Sequence, residues 1–563
     1  MDKVLTPAPD LAPDYYLTNF RFMLDWVWER YADLLNDDER HFIQAFHQLE
    51  HDAQCLLVRL SSRKGPLFRR DKLHYTEIIS IDSAAQQLLD ANLVRIDTLL
   101  SLDTLANSLT KPELLALFGE HLISLKQARK ELLLQTLGVH FAATNDLGRT
   151  WQDWTNNQFG AAWYLDNQTI ISNFLLLFFG NAYQDLTEFV LQDLGLFRYE
   201  NYSIDHQHRL FKNRSELEQY RQLVQLREQL ALDNSTESVL QIAAQLLTQL
   251  PDQGATEKVQ RRRAKLCNQL AYELERAGEH AHALELYQQS HLPPARERRI
   301  RLLEKQNNVA DAWNLLSQLL TAPQDEQELQ IAQRMAPRLA KKAGIAFDKQ
   351  KPAELSTQLL TLPKLFDDQG NALRVEEVVR LSLHTEEAPC VYAENALLGG
   401  IFGLWLWPEM FRGIEGAFAN PFQSAPLDMY QENFSTNRPG IAALWAQFES
   451  DQYRHSIRQT WVEKNNIANH FVNWPFLTSE LLDIALHSIP ASHLKRIFER
   501  LLFDIKNNRS GLPDLIQFYP QQNTYRMIEV KGPGDRIQDN QQRWLDYFAQ
   551  HAIPAEVCYV RWQ

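Results

Sequence analysis

Apolar residues recur at three- and four-residue spacing through most of this chain. That period predicts α-helices and little strand before residue 375. The stretch TNFRFMLDWVWERYADLL, with Thr18 or Asn19 as a cap, and NDDERHFIQAFHQLEHDAQCLLVRL after Asn36 read as helices filling the first 95 residues. They are interrupted by SSRKGPLFRR, whose Gly65-Pro66 predicts a turn. In LSLDTLANSLTKPELLALFG, the run Thr110-Lys-Pro-Glu113 predicts a capping box with an early proline, so two short helices flank that point. From about residue 375 glycine, proline and tryptophan rise, and the last 55 residues alternate in type. LPDLIQFY and TYRMIEVKG predict strands joined by a turn at PQQN. DRIQDNQQRWLDYFAQHA predicts a helix and AEVCYVRW a third strand, a β-β-α-β tail.

Composition narrows the classes. The chain has 563 residues, 45% hydrophobic and 23% charged, the balance of a folded multidomain protein. The cysteines Cys55, Cys267, Cys390 and Cys558 stand far apart, which argues against a zinc finger or a disulfide framework and for a reducing cytoplasm. The N-terminus has no apolar signal region, and the longest apolar run, Ala396 to Trp407, is too short to span a bilayer, so a buried helix and no membrane partner are expected. A net charge of −14 excludes a general nucleic-acid coat but not a local basic groove. Arg63, Lys64, Arg69, Arg70 and Lys72 around the Gly-Pro turn are candidate phosphate contacts. Lys258, Arg261, Arg262, Arg263 and Lys265 form a second cluster. A solvated face is the alternative for both.

The candidate chemistry lies in GLPDLIQFYPQQNTYRMIEVKGPGD. Asp514 starts one strand and Glu529 nears the end of the next, so an antiparallel hairpin brings them level. Glu529 and Lys531, two apart, leave the same face. Two carboxylates and the Val530 carbonyl are hard oxygen ligands for Mg²⁺ or Mn²⁺, one or two ions. A lysine beside them can orient the attacking water and offset phosphate charge. This is a set for phosphodiester hydrolysis.

PD…ExK is the signature of the PD-(D/E)xK nucleases. The fuller string from Gly511-Leu-Pro-Asp514 through Glu529-Val-Lys531 and Asp535-Arg536 to Gln541 and Trp544 resembles the VRR-type nuclease module. Residues 100–119 resemble a SAP-type DNA-binding motif, and LAYELERAGEHAHALELYQQS, with a looser copy after Pro293-Pro294, resembles a tetratricopeptide repeat. Together these features resemble the Fanconi-associated nuclease family. The resemblance implies a multidomain α+β chain: 1–95 an N-terminal helical DNA-binding domain, 96–140 SAP-like, 141–240 a helical linker, 241–375 tetratricopeptide-like repeats and 376–563 the nuclease domain. It also implies a structure-specific nuclease acting at 5′ flaps or branched DNA, 5′→3′ trimming and interstrand cross-link repair. The family's upstream glutamate maps to Glu394, which the 3–4 spacing sets on one helix face with Leu398, Ile401 and Trp405; Glu386 and Glu387 are its rivals. Arg536 is expected on a phosphate, Asp535 as the N-cap of a helix beginning near Ile537, Gln541 pointing back to the strands and Trp544 in the core. The Cys/His set of a ubiquitin-binding zinc finger is not found, so a compact bacterial-type member on chromosomal DNA, monomeric or weakly dimeric, is expected. A junction resolvase or restriction-like enzyme and a non-catalytic helical scaffold are the alternatives.

Overall fold

The computed structural model describes residues 12–63, 65–143, 148–184, 198–250, 255–347 and 355–563. It divides into two compact units, 1–197 and 198–563.

The first unit is helical, as its periodicity predicts. Helices span Tyr15–Tyr31, Asp37–Gln48, His51–Ser61 and Ile81–Asp90. The second starts on a capping box in which Asn36 accepts from the Glu39 N–H. The Thr110–Glu113 box starts the helix Lys111–Phe118 with proline in its first turn. The segment after the Gly-Pro turn is a short strand, β1 (Leu67–Arg69), paired antiparallel with β2 (Ala162–Tyr164). That pairing, and the packing of Trp151, Trp154 and Ala162 against Leu105, Leu114, Phe118 and Leu137, make residues 148–164 part of this core. The expected linker at 141–240 is therefore corrected at its start. Its far end is corrected too, because Leu223, Leu226 and Leu230 of the helix Arg214–Leu232 join the core of the helical repeats.

In the second unit the helices Glu257–Ala277 and His280–Gln288 form a hairpin, followed by Ala295–Lys305, Val309–Thr321 and Glu326–Ala343. Gly278 closes the first of them in the left-handed region at φ +90°, where a side chain would be strained. Among the described residues the last helix of this series ends at Ala343, not 375. Ser356–Leu362 is a strand, β3, and so the expected start of the nuclease domain at 376 falls inside its sheet. That sheet adds β4 (Cys390–Tyr392), β5 (Leu515–Tyr519), β6 (Thr524–Lys531) and β7 (Ala555–Trp562), in the order β3-β7-β6-β5-β4. β7 runs parallel to β3 and β6, while β5 is antiparallel to β6 and β4. Val379 of the helix Val375–Leu383 packs with Cys390, Leu515, Ile528, Val530 and Cys558 over one face. The helix Asp539–Gln550 connects β6 to β7 and buries Trp544 and Phe548. The apolar run at 396 forms a buried helix, Leu397–Met410. Among the described residues no helix is long and apolar enough to cross a membrane, and the four cysteines are buried.

Candidate active site

The pairing of β5 with β6 sets Leu515 opposite Ile528. One step further along the same register sets Asp514 opposite Glu529. Ile528 and Val530 face the helix Val375–Leu383, so strand parity turns Glu529 and Lys531 to the other side. Lys531 Nζ donates to Glu529 Oε1 at 2.7 Å and to Gln541 Oε1 at 3.1 Å. The Val530 N–H donates to Asp514 Oδ2 at 2.8 Å. Glu529 is 0% exposed, and Asp514 and Lys531 are 7% exposed.

Burying so many charges is unfavourable unless something neutralises them. Burial, then the charges of Glu376 and Glu394, push Asp514 up to about 6, against the Val530 hydrogen bond. Burial and the charge of Asp514 push Glu529 up to about 7, against Lys531. Glu529 Oε2 is buried and has no hydrogen-bond partner. A hard cation suits this donor set, because it would fill that orphan position and relieve both carboxylates.

Glu394 departs from its expected place. It lies in the turn between β4 and the helix Leu397–Met410, not on the helix face, because Asn395 takes up a left-handed conformation at φ +53°. The backbone N–H groups of Ala393 and Glu394 both donate to the Asp514 carbonyl, which sets the turn beside the hairpin. The Glu394 carboxylate accepts from Tyr392 Oη and Asn395 Nδ2. Among the described residues no three acidic, imidazole or thiol groups close round one point, and Glu394 acts on Asp514 and Glu529 by its charge. Glu386 and Glu387 are exposed in the loop before β4. Glu376, which the sequence reading passed over, acts on Asp514 by its charge. Its signal is a carboxylate opening an amphipathic helix whose Val375 and Val379 pack on the strands that carry the site.

Asp535 is not an N-cap. Its carboxylate accepts the Gly532 N–H at 2.9 Å inside the loop. The helix starts at Asp539, capped by Gln538 and Gln541, so Gln541 both caps the helix and holds Lys531. Arg536 is exposed on the same loop. Gly511, at φ +89°, lies so close to Asn540 that a Cβ there would stand 2.8 Å from its backbone carbon. This close approach fixes the segment entering Asp514 against the start of that helix.

The basic segments divide. Arg69, 5% exposed, is a core residue: it bonds Asp71 and Glu113 at 2.8 Å each and the Ser108 carbonyl, so its charge is spent inside the fold and not offered to DNA. Arg69→Ala is expected to destabilise the first unit by about 3 kcal/mol, as loss of one partner of a buried pair does. The salt dependence of DNA binding should stay as in the parent; denaturant melts and binding titrations check both. Arg70 is paired with Asp82, and Lys72 lies 3.6 Å from Asp71. Arg63 is exposed over the Tyr75 ring, and Lys64 lies outside the described residues. In the second cluster Arg263 is buried on the Leu250 carbonyl, Lys258 bonds Glu216, Arg261 pairs with Glu432 and Arg262 with Tyr220. Arg261, Lys265 and Lys506 line a cavity of about 320 Å³ that Asp325, Asp504 and Glu432 share, so its cations and carboxylates are matched in number.

The VRR-NUC domain profile matches residues 449–562, the FAN1 HTH domain 14–95 and the Fanconi anemia-associated nuclease SAP domain 99–154. A Fanconi-associated nuclease 1 homolog of Pseudomonas aeruginosa is 40% identical over 98% of this chain and 96% of its own length. The chain belongs to the Fanconi-associated nuclease family. It is a DNA-binding, structure-specific nuclease of multidomain α+β architecture. A crystal structure of paFAN1 bound to 5′-flap DNA with a 2-nt flap and a gap superposes with a TM-score of 0.82 at 40% identity, covering 99% of this chain and 100% of the other. The homolog from Oryza sativa subsp. japonica is 25% identical over 97% of this chain, which spans 62% of that relative's length. The SAP match runs past the expected limit at 140 and takes in Trp151 and Trp154, which pack with the SAP helices.

Proposed function

We propose that this Fanconi-associated nuclease cuts DNA near 5′ flaps or branch points, trims 5′→3′ from there, and serves interstrand cross-link repair on the chromosome. The observation that carries the catalytic part is the buried Asp514–Glu529–Lys531 cluster with an unpartnered Glu529 oxygen. Support for the substrate is the likeness to paFAN1, which was crystallised on 5′-flap DNA.

Divalent-metal dependence comes with the VRR-NUC family. In this reading Asp514, Glu529, the Val530 carbonyl and Glu394 hold one or two Mg²⁺ or Mn²⁺ ions. Such an ion would supply positive charge beside the scissile phosphate and lower the pKa of a water there. Lys531 is the positioning cation. Its ammonium is fixed by Glu529 on one side and Gln541 on the other, so its third proton is directed at the water or at a phosphate oxygen. Asp514, tied to the Val530 N–H, keeps one oxygen locked and the other available. Arg536, exposed on the loop after Lys531, holds a neighbouring phosphate, and Asp535 shapes that loop.

The protein incubated with labelled 5′-flap, Holliday-junction and plain duplex DNA, with Mn²⁺ or EDTA, tests this reading. Metal-dependent cutting of the flap above duplex is expected. Paired symmetric cuts confined to the junction would make the protein a resolvase, and no cutting with any metal a scaffold.

A further inference from the structure

Arg509 differs from the paired cations around it. Among the described residues it has no carboxylate partner. Instead its NH1 group donates to His470 Nε2 at 2.9 Å, and its guanidinium lies 5.2 Å from the centre of the Tyr430 ring. Tyr430 Oη is 2.6 Å from the same Nε2. A guanidinium only donates, so Nε2 must be the bare nitrogen of a neutral imidazole. Partial desolvation, and then the charge of Arg509, push His470 down, which favours that form. A carboxylate would hold an arginine and cancel it. A neutral imidazole and an aromatic face hold it and leave its whole charge outward. Arg509 is exposed and turns donors to His470 and to Tyr430, which leaves the rest of its five N–H groups for a two-pronged contact with phosphate oxygens.

The same residue rides on the catalytic corner. It lies five positions before Asp514 (514 − 509), just after the short helix Ile505–Asn508. The intervening chain is pinned on two sides. Gly511 packs on the backbone of Asn540, beside Gln541, and the Leu512 N–H donates to Asn395 Oδ1, beside Glu394. An ion held at Arg509 is thus referenced to both sides of the carboxylate cluster.

We propose that Arg509, oriented by His470 and Tyr430, clips a backbone phosphate of the cut strand and fixes that strand's register over Asp514 and Glu529. It is a positioning residue. The inference rests on the DNA-cutting reading above and adds a strand contact to it.

The test uses the full-length protein and a flap substrate in which single phosphates near the cut are replaced, one at a time, by neutral methylphosphonates. In the parent, one replacement is expected to slow single-turnover cutting on the order of tenfold, the scale of a misplaced strand. Arg509→Ala should slow the natural substrate by a similar factor and be insensitive to that one replacement, while remaining sensitive to the others. The salt slope of DNA binding in Ca²⁺ should fall by about 1. His470→Gln, which keeps an acceptor, should stay near the parent, and His470→Phe should act like Arg509→Ala. If Arg509→Ala cuts at the parent rate, or slows every methylphosphonate substrate by the same factor, the clip does not exist. Failure of the parent itself to cut the natural flap would sink the flap reading, whereas an unchanged salt slope in Arg509→Ala would sink the clip alone.

Discussion

Lys531→Ala is expected to lower single-turnover cutting on the order of 10³-fold, the cost of removing one preorganised charge from a reacting phosphate. Binding of flap DNA should change little, because Lys531 is buried and adds at most one contact to the many phosphates that hold the strand. Stability gives a second readout. Without the lysine, Glu529 keeps its full burial and loses the cation that hydrogen-bonds it. In EDTA the variant should lose about 1–3 kcal/mol against the parent at pH 8. The loss should shrink as pH falls and Glu529 takes up a proton in place of the missing cation. Excess Mn²⁺ should restore much of it, since an ion held by the folded protein alone adds stability by mass action. A melt that is equally low with and without metal would mean that Lys531 supports the fold and not the site.

The neighbouring carboxylate should answer with the opposite sign. Asp514→Asn is expected to abolish cutting to a similar degree and yet to stabilise the metal-free protein at pH 8 by about 1–2 kcal/mol, below the limit set by its shift. The folded pKa of Asp514 is raised to about 6. Its ionised form therefore costs stability as pH rises through 6, whereas below about pH 4 the group is protonated in folded and unfolded chains alike and costs nothing. The gain should appear over that window and vanish at acid pH. Asparagine keeps an oxygen for the Val530 N–H, so the hairpin bond survives. Glu529, pushed to about 7 partly by Asp514, should titrate lower in the variant. Differential scanning calorimetry across pH 4–8 in EDTA, beside a cutting assay, separates this from simple misfolding. Opposite stability effects from two residues of one cluster would show that the cluster is tuned for binding an ion at the expense of stability.

The parts of the site that were legible in the sequence are those governed by short-range rules. A two-residue period sets Glu529 with Lys531 and apart from Val530, and one hairpin register sets Asp514 level with Glu529, so both followed from spacing. Glu394 was placed on a helix because its neighbours repeat at helical spacing, but Asn395 turns left-handed and starts the helix three residues after Glu394, at Leu397. No periodicity reports such a turn. Strand β3 escaped because it is a half-exposed edge strand whose partner, β7, lies about 200 residues onward. Arg69 was read as a phosphate contact because its run is basic. The acid that claims it, Glu113, comes from another helix 44 residues away. Charge runs report composition, and only the fold decides which cations remain unspent.

The order of the strands has a consequence for anyone cutting this protein into pieces. The domain profile spans 449–562, yet the sheet has its outer strands, β3 and β4, upstream at 356–362 and 390–392. A fragment trimmed to the profile would keep β5, β6 and β7 and strip both flanks, leaving two open rows of unpaired backbone groups. Such edges recruit other chains. The excised piece should therefore aggregate, and one starting before Ser356 should not. The two flanking strands act as bumpers on either side of a buried, charged hairpin.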